Sequence, residues 1–198
     1  MKAKRASSAG RPYVQRARAE SAAATAERIL SSVVSLFRET GRMPTLDAVA
    51  ERANVTVQTV LRRFGSKQGL YEAAAAQVGA EIARERDAAP VGDVAAAIDN
   101  LLDHYDRWGD VALRMLAAEA EATDAGPARQ GRTFHRAWVE RVFAPLLAAL
   151  SGAAREQRVD QLCAVTDVYV WKILVKDLGR SRRRAKQTLV DLVRRLGA

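Results

Sequence analysis

The 198-residue sequence predicts an all-α protein, and three observations carry that prediction. Apolar residues recur at i, i+3, i+4 and i+7 through nearly every segment, the period of a helix with one buried stripe. No run of alternating apolar and polar residues long enough for a strand occurs. Gly and Pro cut the chain into blocks of helical length, at Gly41, Pro90, Gly92, Gly126, Pro127 and Gly179. About nine helices follow. A chain of this length buries roughly 70% of its unfolded surface, so its core needs no metal or disulfide. Its single cysteine, Cys163, excludes an internal disulfide, and no N-terminal apolar run has the length of a signal peptide or a membrane span. A reducing cytoplasm is the expected home.

Residues 1–24 come first, rich in Ala, Ser, Lys and Arg and interrupted by Gly10 and Pro12. The expectation is a mostly disordered basic arm, which either follows phosphates or enters a minor groove, or merely solubilises the chain. The first helix is expected from near Thr25 to Thr40, with Ile29, Val33, Leu36 and Phe37 on one stripe and Gly41 as its stop.

The next stretch, Thr45 to Lys67 (TLDAVAERANVTVQTVLRRFGSK), organises the rest. Leu46, Val49, Ala50 and Ala53 form a short stripe that Thr45 can cap. Asn54 tolerates the left-handed backbone of a helix end, and Thr56 can cap a second helix starting at Val57. On that helix Val60 and Phe64 face one side, while Gln58, Thr59 and Arg62 face the other. The pair reads as a helix-turn-helix. Gln can bond adenine bidentately, Thr can meet a thymine methyl and Arg can pair with guanine, so the polar face suits a major groove; an ordinary solvated face has the same spacing.

Ser66 can cap a fourth helix whose first turn holds Lys67, where free N–H groups and the helix dipole favour a phosphate. Gly79 lies inside that pattern as a possible bend. Charge follows the same division: residues 1–65 hold 12 Lys and Arg against 5 Asp and Glu, a net of +7 out of +9, which leaves +2 for residues 66–198. Such asymmetry suits a polyanion, and the tail lacks the broad apolar face that a membrane-surface helix requires.

Here the residues resemble a known family. LFRETG closing the first helix, TLDAVAERANV, TVQTVLRRF and GSKQGLYEAA are similar, in order and without gaps, to the N-terminal domain of the TetR family of bacterial transcriptional regulators. Two departures stand out: Leu61 where the family usually has a phosphate-contacting Tyr, and Asn54 where it usually has Gly. The resemblance implies a DNA-contacting set of Thr45, Thr56, Val57, Gln58, Thr59, Leu61, Arg62, Arg63 and Lys67. Gln58, Thr59 and Arg62 would address bases; Thr45, Thr56, Arg63, Lys67 and the arm would hold phosphates.

Beyond Pro90 and Gly92 a second helical region begins, giving expected domains of 1–24 (arm), 25–88 (helix-turn-helix domain and the start of a connecting helix) and 89–198 (effector binding and dimerisation). Ile98, Leu101, Leu102, Tyr105 and Trp108 form a stripe that Gly109 should end, and Val111, Met115 and Leu116 form a shorter helix. Phe134, Trp138, Val142 and Leu146 share a face that Pro145 should kink. From Val159 to Leu178 a single helix is expected, apolar nearly all round and so buried on more than one side. Ser181 can cap the last helix, with Leu189, Leu192, Val193 and Leu196 as its stripe.

By the same resemblance, the last two helices pair with their copies in a homodimer, and a near-palindromic double-stranded DNA operator follows from that symmetry. Tyr105, Trp108, Met115, Phe134, Trp138 and Tyr169, large groups on inward stripes, are the expected lining of an effector pocket, or else plain core. The function implied is a repressor released by a small molecule.

Other chemistry finds little support. His104, His135, Asp99, Asp103 and Glu119 lack the repeated Glu-x-x-His pairs of carboxylate bundles, and no HExxH or CxxC is present, so neither a metal nor another cofactor is expected. Nothing places a nucleophile beside a base, so no enzyme is expected. Cys163, on an apolar stripe without a partner cysteine, reads as a small hydrophobe. Two alternatives stay open: a non-specific DNA-binding dimer without an effector, and a helical small-molecule carrier or enzyme with an incidental basic head.

Overall fold

A computed structural model describes residues 10–119 and 126–197, and among them every regular element is a helix. The chain divides into two compact units, Met1–Gly79 and Ala80–Ala198.

In the first unit α1 spans Gly10–Thr40, α2 Leu46–Ala53 and α3 Val57–Phe64; α4, Lys67–Asp87, begins here. The first helix therefore starts well before Thr25 and takes in residues 10–24 of the expected arm; residues 1–9 lie outside the described residues. Gly10 and Pro12 do not interrupt it. They occupy its first turn, where a missing N–H costs nothing, and the alanines that follow have the highest helix propensity of any residue.

The core of this unit is Ile29, Val33, Val49, Ala50, Ala53, Val60, Leu70 and Ala74, one stripe from each of the four helices. Asn54 adopts φ 52° and ψ 53°, and Val55 N–H donates to Ala50 O at 2.9 Å, so a Schellman-type turn ends α2 with Asn in place of Gly. Val55 then packs against the core.

In the second unit α5 spans Val94–Glu119, α6 Gly126–Val142, α7 Ala144–Leu147, α8 Gly152–Val165, α9 Val168–Trp171 and α10 Arg182–Leu196, with a π-helical stretch, Lys172–Asp177, continuing α9. The expected boundary at 88/89 moves back to Gly79, because the last two turns of α4 are tied into this unit. Arg107 pairs with Glu81 and Glu85, Asn100 donates to Glu85 O at 2.6 Å, and Arg141 donates to Arg86 O at 2.7 Å and to Ala89 O at 3.1 Å. Arg141 thus adds a second donor to Arg86 O, which also accepts from Ala89 N–H at 3.2 Å, and bonds Ala89 O just past the end of α4.

Three expectations about helix breaks are corrected. Gly109 does not end a helix. It lies in the middle of α5, where the ring of Trp171 approaches so closely that a Cβ would stand 2.6 Å from Cζ3. Pro145 does not kink a helix either: α6 stops at Val142, and Pro145 sits in the first turn of α7, a position that suits it. The single helix expected from Val159 to Leu178 breaks at Thr166 and Asp167. Asp167 restarts it by accepting from Tyr169 N–H at 2.8 Å.

Candidate nucleic-acid interface

The reading head is built from two capped helices and one anchor. Thr45 Oγ1 accepts from Ala48 N–H at 3.2 Å and so caps α2; Thr56 Oγ1 accepts from Thr59 N–H at 3.1 Å and caps α3. The hydroxyls of Thr56 and Thr59 also bond each other at 3.0 Å. Val60 is fully buried, and Val57 and Phe64 pack partly against the same core. That fixes the rotation of α3 about its axis.

With that rotation set, Gln58 and Arg62 are exposed one helical turn apart, Arg63 is exposed and Thr59 is half-buried. Leu61 is half-buried and stands outside the core cluster, leaving an apolar side chain at the edge of this face.

The cations differ in how they are held. Arg63 donates through Nη2 to Ala22 O on α1 at 2.6 Å, a bond that ties α3 to the first helix without neutralising the guanidinium. Lys67, exposed in the first turn of α4, lies with Nζ 5.6 Å from the ring centre of Tyr71. Among the described residues Arg62, Arg63 and Lys67 form no ion pair. Arg52 does, bidentately with Glu39 at 2.8 and 2.9 Å, and the Arg52 hydrogen bond holds the Glu39 carboxyl below its usual range. Arg52 is therefore spoken for within the domain.

Two further residues, Gly69 and Tyr71, support this head and escaped the sequence reading, whereas the Ser66 cap was expected. Ser66 Oγ accepts from Gly69 N–H at 3.0 Å, and a Cβ on Gly69 would stand 2.4 Å from Phe64 O, so only glycine fits where α4 starts beneath the end of α3. The hydroxyl of Tyr71 donates to Pro44 O and ties α4 to the entry of α2. The spacing G-S-K-Q-G carried the first signal, since a glycine at the third position of a helix is otherwise unfavourable.

In the second unit the six expected pocket residues differ in burial. Tyr105, Trp108 and Trp138 are buried in the core, whereas Met115, Phe134 and Tyr169 are 38%, 47% and 50% exposed. For Tyr169 the reason is the break at Asp167, which resets the helical phase and turns that stripe outward.

Around Tyr105 and Trp138 lies a polar cluster that the sequence did not reveal. Arg86, 4% exposed, stacks its guanidinium 4.2 Å from the ring centre of Trp138 and bonds His135 Nδ1 at 3.0 Å. An arginine only donates, so His135 Nδ1 accepts, and His135 Nε2–H donates to Thr166 Oγ1 at 3.1 Å. Thr166 Oγ1–H donates to Leu162 O at 2.6 Å, and Tyr105 donates to Thr166 O at 2.8 Å. Burial, with Arg86 alongside, pushes His104 and His135 down to about 3, so both are neutral. Burial likewise pushes the Tyr105 hydroxyl and the half-buried Cys163 thiol up. No group of three metal-ligating side chains occurs among the described residues.

A capped helix-turn-helix with an outward polar face, an unpaired basic rim and a separate helical unit defines a DNA-binding transcriptional regulator. Residues 29–74 match the family model of bacterial regulatory proteins of the tetR family, a match confined to the helix-turn-helix region and its flanking helices. No curated protein and no solved structure matches it. No helix among the described residues is long and apolar enough to cross a membrane.

Proposed function

We propose that the protein is a cytoplasmic, homodimeric repressor that reads two half-sites of a near-palindromic operator and is released when a small molecule binds its second unit. The observation that carries the reading is the face of α3. Gln58 and Arg62 stand exposed on one side, while Val60, buried on the opposite side, holds the helix in register. Side chains able to bond adenine and guanine edges are thereby presented at one-turn spacing. Arg63, Lys67 and the N–H groups at the start of α4 supply phosphate contacts that position the head.

Support for the dimer comes from apolar surface left uncovered in the single chain. Tyr169, Ile173, Leu178 and Leu192 are 50%, 49%, 51% and 38% exposed, on α9, the π-helical stretch after it, the residue that caps that stretch and α10 respectively. Large apolar side chains concentrated on adjoining elements are what an obligate partner copy covers. The sign of regulation and release by an effector are taken from the resemblance to the family.

The test is a gel-shift comparison between the promoter beside the protein's own gene and random DNA of equal length, at physiological salt. A specific regulator binds its promoter at least a thousandfold more tightly, on the order of the ratio typical of such proteins. Equal binding would reduce the protein to a non-specific DNA binder.

A further inference from the structure

The interior of the second unit holds a cation with no anion. Arg86 is 4% exposed, and among the described residues no carboxylate lies within ion-pair distance of it. Its partners are a neutral imidazole and the face of Trp138. Removing a guanidinium from water costs far more than one ring face and neutral hydrogen-bond partners return. Buried charges are ordinarily paired for this reason.

Two more polar atoms in the same cluster are unsatisfied. Trp138 Nε1, on the ring that Arg86 stacks against, is buried without a hydrogen-bond partner, and so is His104 Nδ1 on α5. Native interiors rarely leave such atoms unmatched. A cation, an indole N–H and a ring nitrogen able to carry a proton are together a donor set for an anion.

We propose that Arg86 is the counter-ion for the carboxylate of a small apolar organic acid, bound within the second unit. The rings of Trp138, Tyr105 and Phe143 would enclose its hydrocarbon part, and Trp138 Nε1 would donate to the second carboxylate oxygen. This rests on reading the second unit as the effector-binding half, and it gives that effector a chemical class. Arginine suits the task because its planar fork meets both oxygens of a carboxylate at once, which a lysine ammonium cannot do.

The experiment uses the full chain without DNA and follows tryptophan fluorescence and calorimetry. The probes are benzoate, phenylacetate and hexanoate, each set against its uncharged amide. At least one acid is expected to bind, with its amide at least tenfold weaker. Arg86→Gln should lose at least tenfold in affinity for the acid, while Arg86→Lys, which keeps the charge, should lose less. If Arg86→Gln fails to fold, as judged by near-ultraviolet circular dichroism, the wild-type ratio of acid to amide decides. Equal binding of acids and amides, an Arg86→Gln variant that binds acid as the wild type does, or no binding of any of the three acids would each overturn the assignment. Because DNA is absent, this result stands apart from the repressor reading. A chain that binds acid but does not prefer its promoter keeps the site and loses the regulator, and the converse outcome does the reverse.

Discussion

Replacing Gly109 and Gly79 with alanine should move stability in opposite directions, although both glycines lie inside long helices. Gly→Ala in a helix interior gains about 1 kcal/mol from backbone entropy. At Gly79 nothing lies within 4 Å of the added methyl, so that gain should appear nearly whole. At Gly109 the methyl would meet Trp171 Cζ3 at 2.6 Å, Cη2 at 2.8 Å and Cε3 at 3.1 Å. The ring cannot easily withdraw: Trp171 is 2% exposed, its Nε1 donates to Asp106 Oδ1 at 3.4 Å, and Lys176 lies over its face at 5.1 Å. Overpacking of this kind costs about 1–3 kcal/mol, and a rigid ring pressed at three atoms belongs in the upper part of that range. Subtracting the entropic gain leaves Gly109→Ala destabilised by about 1–2 kcal/mol. Urea denaturation of both variants and the wild type, followed by far-ultraviolet circular dichroism, measures the difference. A Gly109→Ala protein as stable as the wild type would refute the close contact, and with it the claim that this glycine exists to admit Trp171.

On the DNA side, Gln58→Ala or Arg62→Ala should each cost about 1–3 kcal/mol on the native operator and relax preference at one position, while Lys67→Ala should weaken all sequences alike and reduce the salt slope by about 1; binding titrations on operator and mutated operators at several salt concentrations separate the two. Acid should weaken the second unit. His104 and His135 sit at about 3 in the folded state and near 6.5 unfolded, so the unfolded chain binds more protons between those values and stability falls as pH drops through that window, by up to about 1.4 kcal/mol per pH unit for each histidine. Melting curves from pH 7 to 5 should show this slope in the wild type and a shallower one in His135→Gln; equal slopes would mean that burial does not hold His135 neutral. For the dimer, Ile173→Asp should shift the protein toward monomer in sedimentation experiments and leave the far-ultraviolet spectrum intact, since Ile173 is 49% exposed in the single chain. An unchanged sedimentation coefficient would place the interface elsewhere.

Local rules read the α2–α3 pair of the first unit well because its determinants are local, although they missed the helix over residues 10–24. Thr45, Asn54 and Thr56 act within four residues of their own positions, and the stripe of α3 follows from counting 100° per residue. The second unit was legible as helical but not as a set of boundaries. Gly109 reads as a stop by propensity, and only the distant Trp171 explains why it is not one. Asp167 looks like one polar residue on an apolar helix until its carboxylate is seen capping Tyr169 N–H. The exposure of Met115 and Phe134 could not be read from their stripes, which say that a face is apolar but not whether another element covers it. Arg86 was invisible for the same reason: on sequence it is one arginine in the run Arg84-Glu85-Arg86, and its burial depends on His135 and Trp138 of α6, far along the chain, packing against it.

The DNA-reading face depends on more than the residues that would touch DNA. α3 has eight residues, and an isolated helix of two turns is marginal in water. Its persistence comes from outside its own hydrogen bonds. Thr56 caps one end, Gly65 turns at φ 76° and donates to Leu61 O at the other, and Val60 is locked into the core. Arg63 is held to α1 through Ala22 O, and Gly69 lets α4 begin close under Phe64. A side chain that reads a base must already be in place when the groove arrives, because each rotamer or helix turn ordered on binding subtracts from affinity. On the proposed reading, Gln58 and Arg62 would be specific only as far as this scaffold stays formed, and Leu61, which brings no hydroxyl to the phosphates, would leave more of the positioning to Arg63, Lys67 and the N-terminus of α4.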